Sequence, residues 1–248
     1  MENQITEVVK SAGYQFTTAV TTFGRCLYAV YCLASFLGLA VTALFVNFFV
    51  PQLRARRRVA SGFSRAFLRV AGIPFSVEAV DRLPQVPCVV VANHASYLDG
   101  VVATAALPPD FAFVIKKEMM RVPLAGWLLR LLGSEFVDRS DARQSASDAR
   151  RVLKRAAKGQ SLVFFPEGTF NETRQIGKFL RGAFATAARA EMPIVAVAIH
   201  GTRDVLPCGT LLIRRMPIRV QVLGVLHGHE ARYLSRELIG NAVGEPLA

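Results

Sequence analysis

The chain has 248 residues, enough for one domain with a sizeable accessory segment or for two small domains, and far more than an isolated peptide module. Thirty lysines and arginines against 18 aspartates and glutamates give a formal charge of +12, yet 52% of residues are hydrophobic and the mean hydropathy is +0.34. That pairing excludes intrinsic disorder and favours an anionic membrane surface over nucleic acid, whose binders need the charge but not the apolar content.

The N-terminal part carries the membrane signal. No charged residue falls between Cys26 and Leu53, and 25 residues read as helix at ~1.5 Å each reach about 37 Å, more than the ~30 Å of a bilayer core. The run is too long for a signal-peptide core, and the preceding Glu2, Glu7, Lys10 and Arg25 sum to zero charge where a cleavable signal starts positive. Arg54, Arg56, Arg57, Arg58, Arg65 and Arg69 follow with no acid among them, so a spanning helix would leave everything after Pro51 in the cytoplasm. Asn47 and Gly38 keep open a shallower arrangement of two helices within one leaflet, and a buried soluble helix is a third possibility. Leu53, Val59, Phe63, Phe67 and Val70 recur at roughly helical spacing between the arginines, which predicts a basic amphipathic helix lying on anionic lipid or, more plainly, a solvated one. Cys26, Cys32, Cys88 and Cys208 form no CxxC, so neither a zinc site nor a disulfide framework is indicated.

Past residue 80 short apolar runs at 87–92, 111–115, 135–137, 161–165, 194–199 and 218–224 alternate with helical stretches near 98–107, 121–132, 141–158 and 179–190. Strands separated by helices predict an α/β fold, a mostly parallel sheet flanked by helices, with chemistry at the carboxyl ends of the strands. The organisation expected is a membrane-anchoring segment over residues 1–75 and a catalytic domain over 76–248.

The first of these strands ends in Asn93-His94-Ala95-Ser96-Tyr97-Leu98-Asp99. On a continuous helix five positions turn through about 500°, which leaves His94 and Asp99 roughly 140° apart, whereas a loop entering a helix can pair them. The carboxylate would then hold Nδ1–H and leave Nε2 free to take a proton from a hydroxyl; alternatively Asp99 merely caps the helix. The fourth run ends in Phe164-Phe165-Pro166-Glu167-Gly168-Thr169, where a carboxylate, a permissive glycine and a hydroxyl follow a strand.

NHxxxxD followed some seventy residues later by FPEGT resembles the glycerolipid acyltransferases typified by 1-acylglycerol-3-phosphate (lysophosphatidate) acyltransferase. Gly133-Ser134-Glu135-Phe136-Val137-Asp138-Arg139 is similar to the family's second block, G-x-x-F-x-x-R, and Met192-Pro193-Ile194-Val195 to its loose fourth. The resemblance implies His94 as general base and Asp99 as its orienter. It implies Arg139, with Lys116 or Lys117, as binders of the acceptor phosphate, a task suited to a guanidinium that bonds two oxygens at once. Glu167, Gly168 and Thr169 would hold the glycerol backbone. Many family members carry Arg after FPEGT where this chain has Phe170, so Arg174, or Lys178 and Arg181, would have to supply that cation.

The reaction so implied moves an acyl chain from acyl-CoA or acyl carrier protein to the sn-2 hydroxyl of lysophosphatidate, in the inner membrane with the catalytic domain on the cytoplasmic side. The partners are membrane lipids, the lysolipid and the acyl thioester, with no nucleic acid. A thiol of pKa about 8.5 leaves readily, so no cofactor, metal or covalent intermediate is called for. A different acceptor, such as lyso-ornithine lipid or another lysophospholipid, and a catalytically silent lipid-binding scaffold are the alternatives. Ser96 lacks a G-x-S-x-G elbow and reads as a turn residue. His200 ends a strand and could line the cleft, or is more plainly a loop histidine; His227 and His229 read as loop residues without a third ligand, Trp127 and its neighbouring leucines as core or membrane contact ahead of a lipid tunnel, and 141–158 as a helix whose charged face meets solvent or lipid.

Overall fold

The computed structural model describes residues 2–138, 141–170, 172–228 and 230–248, with the side chains of residues 2–21 and of Ala142 outside the description. Seven strands form one sheet in the order β1 (Phe75–Glu78), β7 (Ile218–Leu226), β6 (Ile194–His200), β2 (Val89–Ala92), β5 (Ser161–Phe164), β3 (Phe111–Lys116) and β4 (Glu135–Val137). The five strands from β6 to β4 run parallel, while β7 is antiparallel to β6 and carries β1 beside it. β2, Val-Val-Val-Ala, lies at the centre and is buried throughout, because a parallel strand covered on both faces has no polar side to show.

Alternation divides the core into two layers. Val90, Val163, Val195 and Val197 meet α2 (Leu53–Val70) and α3 (Asp99–Ala106) on one face. Val89, Val91, Leu162 and Phe164 meet α5 (Ala142–Ala156) and α6 (Gly182–Arg189) on the other, where α8 (Ala231–Val243) also adds Ala231. The stretch expected as one helix at 121–132 is broken. A 3-10 turn spans Lys117–Arg121, and α4 (Ala125–Leu131) starts only after Pro123 and Leu124, the latter at φ +61.

α1 (Glu2–Phe49) contains one stretch, Thr22–Phe49, long and apolar enough to cross a membrane. It does not stand apart from the body of the protein. The Tyr28 hydroxyl donates to the Ala71 carbonyl at 2.6 Å, that of Tyr31 to Val70 at 3.1 Å, and Phe36 meets Phe67 edge-on at 5.2 Å. Its other face leaves Phe23, Leu27, Val30, Phe45 and Phe48 exposed.

α2 departs from the lipid-facing helix expected for it. Phe67 and Leu68 turn inward to the core, and Arg57 is buried, donating to the carbonyls of Leu132, Pro109 and Asp110. Arg65 similarly donates to the Ala105 carbonyl at 2.8 Å. Carbonyls that their own helices leave open at α3 and α4 draw these guanidiniums inward.

Candidate active site

The site forms where β2 ends. Asn93 closes the strand by bonding β6 on both counts, its amide donating to the Ile199 carbonyl at 2.9 Å and accepting from the Ile199 N–H at 2.8 Å. His94 to Leu98 then make the turn, and α3 begins at Asp99. This is the loop entering a helix that the spacing required, and it pairs the two residues: Nδ1 of His94 lies 2.8 Å from Oδ2 of Asp99. The same oxygen accepts the N–H groups of Ala95 at 2.6 Å and Ser96 at 2.8 Å, both in the turn ahead of α3, so Asp99 braces that turn and holds the imidazole without capping the helix. Asp99 is fully buried, whereas the His94 side chain keeps 21% of its surface exposed. With Nδ1 held against Asp99, Nε2 lies on the opposite edge of the ring. Ser96 is fully buried with its hydroxyl committed to the Leu206 carbonyl at 2.8 Å, which leaves it the turn role expected.

The third block closes on the first. Register makes Phe113, Val163 and Val90 level, so Lys116, Pro166 and Asn93 share a height at the sheet edge and Glu167 stands beside His94. Oε1 of Glu167 accepts the His94 N–H at 2.7 Å, and Oε2 accepts the Gly177 N–H at 2.7 Å. Burial pushes the Glu167 carboxyl above its ordinary pKa, against the pull of those two donors. Both its oxygens are therefore occupied by backbone, a holding task beside the acceptor contact expected of it. Gly168 takes the left-handed conformation at φ +81, which turns the chain and leaves Thr169 exposed at the mouth.

Aromatic rings frame the imidazole. Phe165 stacks on it at 4.6 Å and 23°, Phe170 meets it edge-on at 4.7 Å, and Tyr97 stands perpendicular to Phe170 at 4.7 Å. Phe170, which stands where the resemblance leads one to expect an arginine, is thus in contact with the imidazole itself.

The expected cations are spread around this mouth. Lys116 ends β3, two strands from β2 and hence roughly 10 Å away across the sheet, and pairs with Glu118 at 3.4 Å. Lys117 pairs with Asp138 at 3.3 Å. Arg174 is exposed and ion-paired with Asp204. Lys178 and Arg181 are exposed on the segment that folds back over FPEGT, where the Leu180 N–H donates to the Pro166 carbonyl at 2.8 Å. Arg139 and His229 lie outside the described residues.

Other groups that hold the site gave little sign in the sequence. Glu135 in the second block is buried and bonds Arg151 at 2.7 Å and Arg155 at 2.6 Å, so the charged face of α5 is not simply solvated as expected. Asp148, inside the same cluster, accepts the Asp138 N–H at 2.8 Å; burial raises its pKa, but hydrogen bonds from Asp138, Gln144 and Arg151 outweigh it and hold the carboxyl low. Arg236 of α8 donates to the carbonyls of Gly177 and Ile176 at 2.9 and 2.8 Å, which pins the segment that Glu167 grips. An acid and a base 16 to 20 positions apart, or a lone arginine in a polar helix, leave no periodic signature. His200 closes β6 opposite Arg219, the strand-end placement and not the loop one, and burial together with that cation lowers its pKa. Trp127 is exposed on α4, which packs against α1. An apolar cavity bounded by Ala103, Leu107, Phe111 and Phe113 lies at the far end of α3 from Asp99, away from the imidazole.

Comparison with known proteins gives the family. A chloroplast 1-acyl-sn-glycerol-3-phosphate acyltransferase of Arabidopsis thaliana is 30% identical over 78% of this chain and 55% of its own length. A lyso-ornithine lipid O-acyltransferase of Pseudomonas aeruginosa is 34% identical over 55% of this chain and 52% of its own. The chain spans about half the length of the curated relatives it matches. The fold is that of the crystal structure of a 1-acyl-sn-glycerophosphate acyltransferase from Thermotoga maritima, with a TM-score of 0.77 at 19% identity over 90% of this chain and 96% of that one. The family model described as Acyltransferase matches residues 74–200, more than half of the chain and all four motif blocks, and the chain belongs to that acyltransferase family.

Proposed function

We propose that the protein is a membrane-bound acyltransferase that moves an acyl chain from a coenzyme A or acyl carrier protein thioester to the sn-2 hydroxyl of lysophosphatidate, giving phosphatidate. The observation that carries the reading is the 2.8 Å contact between His94 Nδ1 and Asp99 within the family's first block. Nε2 of His94 takes the hydroxyl proton as the alkoxide oxygen attacks the thioester carbonyl carbon. The tetrahedral intermediate collapses, the C–S bond breaks, and the thiolate leaves, taking the proton from the His94 imidazolium to give free thiol and restore the neutral base. A silent scaffold has no use for a base so oriented.

The lysolipid acceptor belongs to the leaflet and the charged donor to water, so the base must sit where they meet. α1 supplies the anchor, with the catalytic domain on the cytoplasmic face of the inner membrane, consistent with the arginines that follow Pro51. Because residues 28–36 of α1 are laid against α2, insertion into one leaflet fits better than a free-standing span.

A second reading keeps the chemistry and changes the acceptor. Phe170 against His94 favours a lysolipid whose charge lies elsewhere than beside the reacting hydroxyl, such as lyso-ornithine lipid, the substrate named for one relative. The test is thiol release by the purified full-length chain from acyl-CoA and from acyl carrier protein with a panel of acceptors. Turnover of lysophosphatidate above the rest supports the first reading, and preference for a zwitterionic or amino lysolipid replaces it with the second. Failure with every acceptor and both donors would overturn both.

A further inference from the structure

Between α7 (Thr202–Val205) and β7 runs a twelve-residue segment, LPCGTLLIRRMP (206–217), with two arginines and no acid. It is held at both ends and in the middle. Arg214 N–H donates to the Val205 carbonyl at 2.7 Å, Ile213 is buried, and the Leu212 N–H bonds the Thr210 hydroxyl at 2.8 Å. This geometry turns Leu211, Leu212 and Met216 outward, Leu211 with 69% of its surface exposed, and leaves Arg214 and Arg215 exposed among them. Apolar side chains held in water by a fixed loop, interleaved with cations, are the pattern of an interfacial lipid contact.

Two contacts say where this loop stands. Arg215 Nε donates to the Gly72 carbonyl at 2.7 Å, directly after Val70 and Ala71, whose carbonyls receive Tyr31 and Tyr28 of α1. Gly72 is at φ +66, and a Cβ there would meet the Arg215 guanidinium at 3.2 Å, so glycine is what lets the loop close on the end of α2. At its other end the Leu206 carbonyl receives the Ser96 hydroxyl from within the turn that carries His94. One short loop thus joins the apolar N-terminal helices to the catalytic turn.

We propose that Leu211, Leu212, Arg214, Arg215 and Met216 form a second lipid-contacting element that seats on an anionic phospholipid surface beside α1 and fixes the height of the His94 cleft at the bilayer. The occupant is the lipid surface because the loop is continuous with α1 and offers apolar contact together with positive charge. A soluble acidic protein would be drawn by the arginines alone. The inference rests on the reading that α1 enters the membrane, and the test separates the two.

In the full-length chain with Trp127→Phe, a single tryptophan is placed by Leu211→Trp, by Phe48→Trp in α1, or by Lys154→Trp on the exposed face of α5. Each variant is bound to vesicles of phosphatidylglycerol and phosphatidylcholine with brominated acyl chains. The Leu211→Trp and Phe48→Trp emissions should both be quenched and that of Lys154→Trp should not. Quenching at Phe48→Trp with none at Leu211→Trp overturns the second contact while the anchor stands, and places the loop in water or against a soluble partner. No quenching at either removes both. Independently, Leu211→Glu with Leu212→Glu should raise KM for acceptor in vesicles and leave turnover in detergent micelles unchanged; an equal loss in both media contradicts the proposal.

Discussion

The backbone N–H of His94 donates to Oε1 of Glu167 at 2.7 Å, so the carboxylate of the FPEGT block fixes the backbone of the histidine in the first block. Its second oxygen holds Gly177 at 2.7 Å. Glu167→Gln keeps the shape but sets an NH2 group against one of these two N–H donors. An unsatisfied buried donor costs about 1–3 kcal/mol, which corresponds to roughly a 5- to 150-fold fall in kcat if His94 is displaced by it. The expected signature in steady-state kinetics is a loss in kcat with little change in KM for the acceptor. A selective rise in KM would mean that Glu167 acts on the acceptor and not on His94.

The same carboxyl gives stability a pH dependence. Burial raises the folded pKa of Glu167 above its unfolded value of about 4.5, so the folded state binds a proton more tightly. Its contribution is fully present below the unfolded pKa and is lost as pH rises through the raised value. Denaturant unfolding at a series of pH values should therefore show the wild type losing stability relative to Glu167→Gln across that window. A gap between the two that does not change with pH contradicts this.

Phe170 touches His94 at the position where many relatives place an arginine. Phe170→Arg should raise the ratio of kcat/KM for lysophosphatidate over a zwitterionic lysolipid, since a charge-assisted hydrogen bond to phosphate contributes about 1.5–3 kcal/mol, or roughly 10- to 100-fold. An unchanged ratio in competition assays would show that headgroup recognition lies elsewhere around the mouth.

In the buried cluster of the second block, the partners are unequal. Glu135 is 3% exposed, whereas Arg151 and Arg155 are 46% and 40% exposed. Removing both arginines strands a buried carboxylate, at a cost of about 3–5 kcal/mol, while removing Glu135 leaves two arginines free to reach water, at about 1–3 kcal/mol. Thermal unfolding should rank Arg151→Ala/Arg155→Ala well below Glu135→Ala. The reverse order would mean that stranding the Glu135 carboxylate costs less than losing its packing and bonds.

How far such features are legible in a sequence depends on their range. His94 with Asp99, and the strand that delivers them, are local: five positions, one loop, one helix start. β2, β5 and β6 announce themselves as short apolar runs because parallel strands are buried on both faces. β1, Phe-Ser-Val-Glu at the sheet edge, has too few apolar positions to stand out, and it is defined by its pairing with β7. Periodicity revealed α2 but not the direction of its apolar face, because lipid and protein core accept Phe67 equally well. Glu135 with Arg151, or Arg236 with Gly177, exists only through tertiary contact, and no spacing rule connects such residues.

The central claim is that the imidazole of His94, oriented by Asp99, deprotonates the acceptor hydroxyl. It is tested by the initial rate of thiol release from acyl-CoA by His94→Ala and wild-type protein bound to the same lysophosphatidate-containing vesicles. The account predicts a fall of about 10²–10⁴-fold with the bound fraction unchanged, and a variant that releases thiol at the wild-type rate would contradict it.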